Sequence, residues 1–165
     1  MREVERIARL LEQTFEGQAY YGPSVQKALE DISVGIAERR PDGRAHSIWE
    51  LVSHLTAELR HARALLEGDA VPWVEGKTTW PDLAASSASA WDEAIRDLRD
   101  ANRALVQAIE QLDDTMLDQQ LNQVRRTYYV MLHGMIQHNA YHAGQISMLK
   151  RQLMTNNPDR NHCAG

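Results

Sequence analysis

Apolar residues along this chain recur at three- and four-residue steps, and runs of strand-like alternation are missing, so the pattern predicts helices throughout. Val4, Ile7, Leu11 and Phe15 mark one face of a first helix. It is disturbed at "YYGPS", where Gly22 breaks the pattern and Pro23 suits the first turn of a continuation through Ala28 and Ile32. "RRPDGR" is a turn. A second helix starts near Ser47, carries Ile48, Leu51, Leu55, Leu59, Ala62 and Leu66 as its stripe, and stops at Gly68. "DAVPWVEGKTTWPDL", with its prolines and tryptophans, reads as a long ordered loop, a feature that often covers a site. A third helix is expected to begin within "PDLAASSASAW" and to run through "DEAIRDLRDANRALVQAIEQL". After a connector with room for one short turn, a fourth helix begins near Thr127 and ends near Met154. The expectation is an all-α four-helix bundle over residues 1–155, with residues 156–165 as a polar, frayed C-terminal tail.

Length and charge narrow the function. A chain of 165 residues suits one domain with a sizeable core. A net charge of -5 and a pI of about 5.8 argue against general attraction to nucleic acid or to anionic membranes. No run approaches the roughly 18 consecutive apolar residues of a membrane span. The first residues are amphipathic and mixed in charge, so they read as a helix of the fold and not as a secretory signal. The one cysteine, Cys163, lies in the tail, which excludes an internal disulfide and makes a reducing, cytoplasmic setting the simplest expectation.

The chemistry is concentrated in "MLHGMIQHNAYHAGQISMLKRQLM". His138 and His142 share the stripe of Met131, Met135, Ile146, Leu149 and Leu153, one helical turn apart. A lone histidine in such a stripe is most simply a core residue with one hydrogen-bond partner. Two on one face need two partners, and a metal ion satisfies both at once. The second helix offers a third donor. In "HLTAELRH", His54, Glu58 and His61 fall on a stripe at the edge of the apolar face. His54 is the expected third ligand. Glu58 reads either as a helper, hydrogen-bonding, ligating or moving protons, or as an ordinary solvated carboxylate beside Arg60 or Arg63. His61 is expected at a pocket edge or on the surface, His133 away from the site, His46 near a helix start and His162 in the tail. Gly134 and Gly144 are read as points of close helix approach.

Other templates fail on what they lack. His138 and His142 have zinc-protease spacing, but Asn139 stands where the glutamate base belongs. A ferritin-like di-iron site needs carboxylates from several helices, yet residues 119–157 contain no Asp or Glu. A hemerythrin-like site needs further histidine and aspartate ligands that are not found. A mononuclear three-histidine site survives, with zinc or nickel as the natural ion and one coordination position open.

The segments "AYYGPSVQKAL", "SIWELVSHLTAEL" and "HNAYHAGQISMLKR", in that order, resemble the DinB/YfiT-like metalloprotein superfamily over most of the chain. The resemblance implies an up-down-down-up four-helix bundle and a homodimer, with a divalent metal held by His54, His138 and His142. It also implies chemistry on a small-molecule substrate. Relatives include thiol S-transferases using low-molecular-weight thiols such as bacillithiol or mycothiol, a thiol-dependent isomerase, and proteins labelled metal-dependent hydrolases. On this reading the ion activates water or a thiol, and Glu58 or a tyrosine (Tyr141 or Tyr20) handles protons. A non-catalytic metal-binding or stress-response protein is the alternative. Specificity is expected from the loop between Trp73 and Trp80.

Overall fold

Ser24, Ser47 and Ser87 each start a helix by accepting a free N–H of its first turn. The computed structural model describes residues 1–41, 45–69, 79–83, 85–122 and 125–155. Among these residues lie α1 (Glu3–Phe15), α2 (Val25–Leu29), α3 (Val34–Ala37), α4 (Ile48–Glu67), α5 (Ala88–Glu110) and α6 (Tyr128–Thr155). A single 3-10 turn spans Asp114–Met116. The described residues form no strand, and one isolated bridge pairs Gln120 with Thr127.

At the start of α4, Ser47 Oγ accepts the Glu50 N–H at 3.2 Å, and the Glu50 carboxylate accepts the Ser47 N–H at 2.8 Å. This reciprocal pair fixes the first residue of the helix. Gly68 ends α4 in the left-handed region at φ 78°, as its position in the sequence predicts. Ser87 starts α5 with its hydroxyl alone, accepting the Ala90 N–H at 3.1 Å. The expected second, third and fourth helices are therefore present.

The first helix differs from expectation. It ends at Phe15, and the chain turns through Gly22 at φ 71° before α2 begins. Ser24, not Pro23, marks that start, because its hydroxyl accepts the Lys27 N–H and proline has nothing to offer there. Helix α2 ends at Leu29, so Ile32 reaches the core from a connecting segment. The four-residue α3 was not legible in the apolar pattern.

Four long helices pack in a closed circuit: α1 lies against α5 and α6, and α4 lies against the same two. Helix α2 lies on α6. Their apolar stripes meet in one core that includes Phe15, Ile48, Leu55, Leu98, Leu105, Leu132 and Ile146. Burial of these side chains, each worth about 1.5–3 kcal/mol, is what positions α4 against α6. The ends are tied as well. Asp114 accepts the N–H groups of Glu3 and Val4, both at 2.9 Å, which holds its carboxyl below the usual range. Arg2 reaches the carbonyls of Glu110 and Leu112. Trp91 donates its indole N–H to the Ile32 carbonyl at 2.9 Å. No helix of the described residues is long and apolar enough to cross a membrane.

Candidate metal centre

Helix α4 carries His54 one turn after Leu51, and α6 carries His138 and His142 one turn apart. The packing of α4 on α6 brings the three rings together. His138 Nε2 lies 3.1 Å from His54 Nε2 and 3.0 Å from His142 Nε2. The three candidate donor atoms all lie within 4.8 Å of one another.

The outer nitrogens fix which face each ring presents. His54 Nδ1 is 2.6 Å from the Thr79 carbonyl oxygen, so that nitrogen carries the proton and donates. His142 Nδ1 is 2.6 Å from Gln145 Oε1 and donates likewise. Both rings therefore turn an Nε2 lone pair toward His138. His138 has one ring proton to offer, which cannot serve two acceptors well. A cation accepts from all three nitrogens at once. Two imidazoles bound tetrahedrally at about 2.0–2.1 Å hold their nitrogens about 3.3 Å apart, close to the spacing seen here. The donor set fits a divalent ion of the borderline-soft kind.

Electrostatics agree with that fit. Burial, with the neighbouring rings adding to it, pushes His138 down to about 3. Burial and the charge of His54 push His142 down to about 4. Burial also lowers His54, partly opposed by its bond to Thr79. All three rings are thus neutral at neutral pH, the form that ligates metals.

His54 is more deeply placed than the edge position expected for it, only 7% exposed, because Trp80 lies flat over its ring. The ring centroids of Trp80 and His54 are 4.1 Å apart, and on its other face Trp80 stacks on His46 at 3.8 Å. The expected loop cover is present at Trp80, whereas Trp73 lies outside the described residues.

The family model described as the DinB superfamily matches residues 23–146, well over half of the chain and all three clustered histidines. The chain belongs to the DinB superfamily. No curated protein and no solved structure matches it.

The remaining site expectations for this DinB chain divide. Tyr141 lines a cavity of about 550 Å³ that opens beside His142, and its hydroxyl accepts from Gln145 Nε2 at 3.1 Å. A chain of contacts thus runs from the cavity through Tyr141 and Gln145 to His142. Glu58 is half-buried, and burial pushes its carboxyl up, but it does not join the histidine cluster. One turn of α4 carries it past the point where the rings converge. Tyr20 is 93% exposed and packs edge-on against Tyr21. His61 lines a separate cavity between α4 and α5, and His133 bonds to the Tyr129 carbonyl, away from the cluster. His162 and Cys163 lie outside the described residues.

Gly134 and Gly144 do not mark close helix approach, since a Cβ built on either meets nothing within 4 Å. Both face open space. Thr79 and Gln145 are the contacts that sequence reasoning missed. Gln145 had a signal, because a residue three positions after a helical ligand lies over the same face. Thr79 had none, because it acts through its backbone carbonyl.

Proposed function

We propose that this DinB chain is a divalent-metal enzyme of the thiol S-transferase or hydrolase type, with His54, His138 and His142 as ligands for zinc or nickel. The single observation that carries the reading is the convergence of three ring nitrogens, two of them with outer N–H groups held by acceptor oxygens. A divalent ion held there supplies Lewis acidity that favours the deprotonated form of a water or a small thiol. Thr79 and Gln145 orient the rings, and Trp80 shields His54 from solvent. Its position at the cavity wall and its hydrogen bond to Gln145 support Tyr141 as the group that exchanges a proton with a bound substrate. Glu58, its carboxyl raised by burial one turn along α4 from His54, is the second residue we propose for proton handling. The closed circuit of four long helices supports reading the fold as the up-down-down-up bundle.

One observation favours a second reading, that of a non-catalytic metal-binding or stress-response protein. No carboxylate of the described residues joins the three histidines, so no carboxylate base touches the centre. Thiol transfer to a chlorodinitrobenzene, measured with and without added ion, separates the two. The enzyme reading expects metal-dependent turnover that His138→Ala abolishes. Strong thermal stabilisation by the ion with no turnover across a panel of thiols favours the second.

A further inference from the structure

Helix α6 is uncharged on two faces. One is the core stripe that includes Leu132, Met135 and Ile146. The other points away from the bundle. There Val130, Gly134, Gln137, Tyr141, Gly144 and Met148 follow one another at alternating steps of four and three residues, which is a heptad seam on the outside of the helix. Tyr141 is 63% exposed and Met148 73%, and Val130, Gln137 and Gly144 are exposed as well. A Cβ built on Gly134 or Gly144 meets nothing within 4 Å, so the seam is open at both. The chain is 25% charged, yet residues 127–149 contain no Asp, Glu, Lys or Arg. A solvated helix face normally carries such residues, and a helix without them is normally covered.

The order of the seam says what covers it. It reads the same in both directions about residue 139. Reversed end to end, it sets Val130 against Met148, Gly134 against Gly144 and Gln137 against Tyr141. Apolar meets apolar, small meets small, and an amide meets a hydroxyl. The flanks of α6 agree. The same reversal sets Arg151 against Thr127 and Arg126 against Gln152, so no like charges oppose along the helix. A patch that matches itself after a half-turn is what a two-fold dimer requires. An unrelated partner places no such demand on the order of residues.

We infer that a second copy of this chain docks antiparallel on the outer face of α6, on a two-fold axis level with Asn139. Tyr141 and Met148 also line the cavity beside His142, so the second copy borders that cavity. The docking itself does not rest on the metal reading. The seam from residue 130 to residue 148 is about 28 Å long, a short interface with a dissociation constant in the micromolar class.

Sedimentation velocity on metal-free protein tests this, and the parent is expected to be mostly dimer at about 100 μM. Val130→Lys/Met148→Lys sets like charges opposite each other at both ends of the seam and should weaken the dimer at least about tenfold. Val130→Lys/Met148→Glu sets opposite charges there and should recover most of that loss. Both positions are exposed, and circular dichroism checks that each variant folds. A second measurement needs no charged variant. In the antiparallel pair, residue 130 is offset from its twin by about 27 Å along the axis and residue 137 by about 6 Å. Spin labels on Val130→Cys and on Gln137→Cys, each with Cys163→Ala, should give a long and a short distance respectively. A dimer formed by protein that takes up no zinc removes the metal reading and leaves this inference standing. A parent that stays monomeric at about 100 μM, equal affinity in the two charged variants, or a shorter distance at 130 than at 137 overturns it.

Discussion

Trp80 lies flat on His54, with ring centroids 4.1 Å apart and planes within 6°. The residue before it, Thr79, accepts the His54 Nδ1–H through its carbonyl. Two successive residues of one connecting segment therefore cover and aim the histidine of α4. Removal of the indole exposes the ring and frees its orientation. Trp80→Ala is expected to weaken zinc binding by about tenfold, the lower end of the range for groups that orient metal ligands, with Trp80→Phe less affected. Competition titration against a chromogenic chelator measures both. Equal affinity in Trp80→Ala and the parent would remove the cover from the account.

Gln145 does for His142 what Thr79 does for His54, but through a side chain, so substitution reaches it directly. Gln145→Leu keeps the bulk and removes the acceptor. Zinc affinity should drop by about 10–100-fold, while Gln145→Glu, which retains an acceptor oxygen, should stay near the parent. Tyr141→Phe removes a hydroxyl that touches Gln145 and no histidine nitrogen. It is expected to leave zinc affinity within about threefold and to lower turnover, the general acid–base contribution being about 10²–10⁴-fold.

Acid should destabilise the metal-free protein in a defined window. Burial holds His138 at about 3 and His142 at about 4, below the ordinary histidine value of 6.5. Between those limits the unfolded chain takes up protons that the folded chain refuses, so stability falls as pH falls. Above about 6.5 both states hold neutral rings and the contribution is complete. Urea denaturation from pH 7 to pH 4 should show this loss, and a His138→Gln/His142→Gln variant should show a shallower one. Parallel curves would mean that the rings titrate alike in both states.

Glycine gives opposite signs at different positions. Gly134 and Gly144 sit inside α6 with open space where a Cβ would point. Alanine at each should stabilise by about 0.5–1 kcal/mol, by reducing the freedom of the unfolded chain. Gly68 holds φ 78° at the end of α4, and Gly68→Ala should cost about 1 kcal/mol or more. Thermal melts of the three variants check the signs.

The histidine spacing was the most legible part of the site, because 138 and 142 share a face by helical geometry alone. His54 was legible as a candidate since α4 has a clear stripe, but its depth was not, because that depends on Trp80 folding back over it. Helix starts at Ser47 and ends at Gly68 could be read from local chemistry. The α1–α2 junction could not, as Pro23 and Ser24 are both start signals and only the hydroxyl proved to be used. The glycines of α6 misled because sequence cannot distinguish a glycine required by a neighbour from one merely tolerated. Glu58 was placed on the right helix face but one turn from the rings, a distance that face-by-face reasoning does not resolve.

The convergence of three imidazoles on one ion is tested most directly by elemental analysis of untagged protein after saturation with zinc or nickel and removal of excess. The account predicts one ion per chain in the parent and far less than one in His54→Ala, whose ring comes from a different helix than the other two. A parent that retains no stoichiometric ion, or a His54→Ala variant that retains as much as the parent, would contradict it.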